Sequence, residues 1–125
     1  MSTIVFLLLA LAGGVGSACR LLVDGVVRSR MTTAYPIGTT IINVTGSLLL
    51  GLLTGLVLSG LVAEEWRLVL GTGFLGGYTT FSTASFETVR LIGERRFVAA
   101  LANGLGMLAV SAIAAGLGLW VGTSL

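Results

Sequence analysis

Four apolar stretches, separated only by short polar junctions, decide what this chain can fold into. A helix needs about 20 apolar residues to cross the hydrocarbon core of a bilayer. The first stretch runs from about Ile4 to Val23 and the second from near Pro36 to about Val62. The third runs from about Trp66 to Ile92 and the fourth from about Phe97 to Val121. Proline suits a helix start, because its missing N–H is one that the first turn leaves unpaired anyway. The junctions "DGVVRSRMTTAY", "AEEW" and "GERR" are short, so neighbouring helices should run antiparallel. The expectation is an all-α membrane protein with four transmembrane helices in one domain, residues 1–125.

Composition supports lipid over water as the solvent. Mean hydropathy is +1.06 and 10% of residues are charged, against about 25% in soluble domains. The net charge is +2 and every basic residue is an arginine. These arginines are too few and too scattered for a nucleic-acid surface, which shows a basic stripe. There is no histidine, which excludes histidine relays and histidine metal sites, and Cys19 has no second cysteine to pair with. No nucleophile–base pair can be assembled, so an enzyme is not expected. The N-terminal "MSTIVFLLLALAGG" lacks a basic leader, and it reads as a retained first helix. Arg28, Arg30, Arg90, Arg95 and Arg96 flank the first and third connections, and only Arg67 flanks the second. By the positive-inside rule both termini then lie outside the cytoplasm.

Polar residues inside the apolar stretches point to function. Thr39, Asn43, Ser47, Gly51, Gly55 and Ser59 recur every four residues, one stripe on the second helix. Gly51, Gly55 and Ser59 read as packing residues, since small side chains let helices approach. Asn43 carries two donors and two acceptors that hydrocarbon cannot satisfy. It faces either another polar residue or a wet path, and the spacing leaves both open. Asn103, Met107, Ser111 and Ala115 repeat the pattern on the fourth helix. Arg20 near the first helix end reads equally as a functional charge or as an interfacial anchor. Glu87 can face water, cap a polar vestibule or pair with an arginine.

The third stretch is the most informative. "GTGFLGG" weakens a regular helix, and "TTFSTAS" follows with few large aliphatic residues. A helix break within a membrane is tolerated only where the freed backbone is buried in protein or lines a cavity. Broken helices offer carbonyls to cations and amides to anions. The stretch therefore predicts an ion or small-solute site, without naming the ion.

At "PIGTTIINVTGSLLLG" and "GFLGGYTTFSTASFE" the sequence closely resembles the CrcB/Fluc family of fluoride ion channels. The glycine-rich first helix ending in Arg20 and "RRFVAALAN" before the fourth helix fit as well, so the likeness covers the chain in order. The resemblance implies an antiparallel, dual-topology dimer in the cell membrane, with two narrow fluoride pores. It implies a structural sodium ion at the dimer centre, held by the backbone carbonyls of Gly76 and Thr79. It implies that Asn43 borders the pore and that Phe81 offers its ring edge to fluoride. Ser82, Ser85, Thr39 and Ser111 would line a polar track, and Arg20 would attract anions at the vestibule.

Two positions depart from the family pattern. The family usually reads "TTFSTFS", and here Ala84 stands where the second phenylalanine would be. Phe86 lies two residues on, about 200° around a helix, so it cannot take that place. Met107 stands where a polar residue is often found. These departures raise an alternative to the homodimer, a heterodimer with a related subunit that supplies the missing ring. A small coupled transporter is a further alternative. Dual-topology exporters of that kind need a carboxylate in the first helix, and Ile4 to Val23 contains none.

Overall fold

The computed structural model describes residues 1–33 and 35–125, and the described residues form helices and their connections only. Helix α1 spans Thr3–Arg30, and its Ser2 cap accepts a hydrogen bond from the Val5 amide at 3.2 Å. Helix α2 spans Ile37–Leu58, directly after Pro36. Helix α3 covers 64–78: one α-turn at Glu64–Trp66, a π-helical stretch at Arg67–Leu75 and a last α-turn at Gly76–Tyr78. Helix α4 spans Ser82–Gly93. Helix α5 runs over Phe97–Ser124, with π-helical bonding at Ala102–Gly106.

Three of these helices, α1, α2 and α5, are long and apolar enough to cross a membrane. The third apolar stretch is two shorter helices joined by residues 79–81, where Thr79 leaves the helix for an extended conformation (φ −77°, ψ 161°). The expected break is present, but not where the glycines were expected to weaken the helix: "GTGFLGG" stays helical, and the chain leaves the helix only at 79–81. Helix α1 continues seven residues beyond the expected end at Val23. Hydropathy falls at Asp24, but nothing there stops a helix, and Asp24 pairs with Arg28 one turn on at 3.1 Å. Helix α2 ends four residues before the expected Val62. Gly60 there adopts φ +77°, and the Gly60 and Leu61 amides close onto the Val57 and Leu56 carbonyls.

The bundle is apolar outside and partly polar inside, which suits a lipid solvent. Large aliphatic side chains such as Ile4, Leu8, Leu49, Leu108 and Ile113 are exposed, while Thr39, Thr80, Glu87 and Asn103 are buried. Helices α2 and α5 pack most extensively, followed by α1 against α3. Small residues make both contacts close. A Cβ on Gly55 would lie 2.8 Å from the Gly122 Cα, and one on Gly73 would lie 2.7 Å from the Leu9 carbonyl oxygen. The Ser59 hydroxyl donates to the Gly122 carbonyl at 2.8 Å, tying the end of α2 to α5. The packing reading of Gly51, Gly55 and Ser59 is therefore seen directly.

Candidate functional site

The break between α3 and α4 is held by one side chain from α2. The Asn43 amide nitrogen donates to the Thr80 carbonyl at 2.8 Å, and the Thr80 N–H donates to the Asn43 oxygen at 2.8 Å. Two reciprocal bonds replace the helix bonds that residue 80 gives up, so the extended turn carries little desolvation penalty. The second Asn43 hydrogen goes to the Met107 sulfur on α5, 3.1 Å away. Of the two readings open for Asn43, the structure gives a polar partner, and the same side chain also lines a cavity.

Following the amides through the break shows which carbonyls are released. In an unbroken helix the Thr80 N–H would bond to the Gly76 carbonyl and the Thr83 N–H to the Thr79 carbonyl. Here Asn43 takes the first amide, and the Thr80 hydroxyl accepts the second at 3.1 Å as a cap for α4. The Gly77 carbonyl, by contrast, accepts from the Ser17 hydroxyl of α1 at 3.2 Å. Gly76 and Thr79 are thus deprived of their helical amide partners, and both residues line the cavity. These neutral oxygen donors suit a hard cation such as sodium.

The cavity is large, about 870 Å³, and opens along the face shared by α2, α3, α4 and α5. It brings together Asn43, Gly76, Thr79, Phe81, Ser85 and Ser111 from the residues that sequence reasoning selected. The Phe81 ring is 87% exposed at this face. The Ser111 hydroxyl is buried and has no hydrogen-bond partner. Ser82 does not line the cavity and lies beside it, its hydroxyl 3.5 Å from that of Thr80. Ala84 does line it, and neither its side chain nor the exposed Phe86 puts a second ring beside Phe81.

Thr39 and Arg20 stand apart from this cavity. Thr39 is 2% exposed, and its hydroxyl donates to Glu87 at 2.6 Å. Glu87 borders a second cavity of about 210 Å³, lined also by Asp24, Arg28, Arg90 and Glu94. Glu87 is thus buried at the edge of a cavity with a charged lining and held by a threonine. Arg20 is half-buried on α1, with its Nε buried and without a partner.

Asn103 is a residue that sequence reasoning placed on the right face without choosing it. It is 1% exposed, and its amide nitrogen donates to the Ala84 carbonyl at 3.2 Å and to the Thr88 hydroxyl at 2.9 Å. Because a carbonyl can only accept, the Ala84 contact fixes which way the amide points. Asn103 thereby fastens α4 to α5, and its own oxygen is buried without a partner. The available signal was the polarity of an asparagine in an apolar helix, the same signal that singled out Asn43.

The family model described as CrcB-like protein, Camphor Resistance (CrcB), matches residues 7–119. The chain is 57% identical over 122 residues to fluoride-specific ion channel FluC 1 of Leifsonia xyli subsp. xyli, covering 98% of this chain and 89% of that one. It is 42% identical over 121 residues to FluC 3 of Bifidobacterium longum, covering 97% and 100%. It is 47% identical over 116 residues to FluC 2 of Mycolicibacterium paratuberculosis, covering 93% and 88%. With a break clamped from α2, a cavity opening onto it and relatives matched along nearly the whole sequence, the chain belongs to the CrcB-like, camphor-resistance family.

Proposed function

We propose that this chain forms a passive, fluoride-specific channel that lets the anion leave the cytoplasm across the cell membrane. The observation that carries the proposal is the Asn43–Thr80 clamp, which holds a helix open beside a cavity with an unpartnered hydroxyl, in a chain whose relatives are named fluoride-specific ion channels. Fluoride is small and strongly hydrated, so a path for it must replace water with good donors while keeping each contact weak enough to release. The Ser111 and Ser85 hydroxyls and the positive edge of the Phe81 ring are suitable donors on the cavity wall. Thr39, Ser82 and the Arg20 guanidinium belong to the approaches in this reading.

The two halves of the third apolar stretch act together as one crossing, giving four. Two chains pack antiparallel, burying the open cavity face between them. The Gly76 and Thr79 carbonyls of both chains would then hold a sodium ion, whose fixed positive charge raises the local attraction for anions. A second reading, in which the partner is a related chain rather than a copy, is favoured by Ala84. Among the described residues no second ring stands beside Phe81, and relatives bear the numerals 1, 2 and 3 in their names.

Fluoride efflux from liposomes under a potassium gradient tests the proposal. Fast electrogenic efflux from the chain alone is the expected result. Efflux only after co-reconstitution with a related chain would establish the heterodimer. Proton-dependent efflux would sink the channel and favour a coupled transporter.

A further inference from the structure

We propose that Met107 controls access to Asn43: its thioether occupies the one Asn43 N–H that an anion can use. The inference rests on the channel reading and deepens it. Asn43 has two amide hydrogens. One is committed to the Thr80 carbonyl within a reciprocal pair that holds the break, so giving it up would undo the clamp. The other points to the Met107 sulfur at 3.1 Å. A thioether is a weak acceptor on a side chain with three rotatable bonds, so this bond is the cheaper one to exchange.

The surroundings favour that exchange. Met107 is 5% exposed yet lines the 870 Å³ cavity, so its side chain borders space into which it can turn. Ser111, one turn further along α5, has a buried hydroxyl without a partner. Beside this wall the Ser111 O–H is a buried donor without a partner, and the Asn43 N–H is a donor covered by sulfur. One turn before Met107, the Asn103 nitrogen is already spent on α4, and its bare oxygen faces no donor. On the α5 face Ser111 thus keeps an unused, buried donor, while the Asn103 amide nitrogen has none to spare. Met107 lies between them and decides whether Asn43 becomes the next donor.

The test reads the sulfur itself as well as transport. The chain has three methionines, so ¹³C-methyl labelling of the full chain in detergent micelles gives three signals. Met107→Leu assigns the relevant one. Fluoride titration should move the Met107 methyl signal, and chloride should leave it in place. In liposomes Met107→Leu removes the acceptor at similar volume. The fluoride concentration for half-maximal efflux should fall by about two- to tenfold, the ratio expected for loss of one competing neutral hydrogen bond. A methyl signal that stays fixed through the fluoride titration would overturn the proposal, as would an unchanged half-maximal concentration in Met107→Leu. Absence of efflux from the wild-type chain, alone and with a related chain, would sink the channel reading, while the methyl titration would still decide the role of the sulfur.

Discussion

Asn43 makes three hydrogen bonds, two to the break and one to Met107, and on the proposed channel reading its substitution should affect both fold and efflux. Asn43→Ala leaves the Thr80 N–H and C=O without their partners at a buried break, each costing about 1–3 kcal/mol. Loss of fluoride efflux and a clear drop in melting temperature are the expected results. Ser59→Ala, which removes only a hydroxyl bridge to Gly122, should keep most of the efflux. Equal efflux in the two variants would remove Asn43 from the conduction path. At Glu64 the prediction concerns protons. The Arg67 side chain hydrogen-bonds this carboxylate and holds its pKa below the ordinary carboxylate value. The small stabilisation from this pair is present above the unfolded pKa and fades as pH falls through the lowered folded one. Arg67→Ala should return the Glu64 midpoint, followed by NMR, upward towards the ordinary value.

Helix ends and helix contacts carry their own predictions. Arg95 sits in the left-handed region at φ 59°, where it closes α4 with bonds from the Arg95 and Arg96 amides to the Ile92 and Leu91 carbonyls. A residue with a Cβ costs about 1–2 kcal/mol there. Arg95→Gly should raise stability to denaturation by up to about 1 kcal/mol, because glycine's greater freedom when unfolded offsets part of the relief. The α2–α5 contact behaves in the opposite way. Gly51 meets the Ala115 backbone, so a side chain there cannot be absorbed by a rotamer change. Gly51→Val should destabilise the fold by about 1–3 kcal/mol or more, read as loss of the monodisperse species in detergent. Much of this was legible beforehand. The four-residue spacing of Gly51, Gly55 and Ser59 announced a packing stripe, and the third stretch announced a break, although the glycines of "GTGFLGG" to which it was ascribed stay helical and the break comes just after them. The full length of α1 was not, because hydropathy reports where lipid ends and not where a helix does. The Asn103 and Glu87 contacts were not legible either. Glu87 finds Thr39 across 48 residues of sequence, and only the folded bundle sets such a pair.

For the whole molecule, the exposed cavity face is the main structural statement. It gathers the residues of the break, several hydroxyl side chains and an aromatic ring on one side of a single chain, in a bundle that elsewhere exposes many large apolar side chains. A second chain on this face would enclose all of them at once. Single-molecule photobleaching of labelled chains in liposomes should therefore count two per particle. Protease protection of a terminal tag should show both orientations if the two chains are copies.

The bond between Asn43 and the break is made to main-chain atoms of residue 80. Its geometry therefore places no demand on the side chains of Phe81, Ala84 and Ser85, which form part of the cavity wall. Architecture and wall chemistry can be inherited separately. A chain with alanine at position 84 and one with a larger side chain there can fold around the same opening.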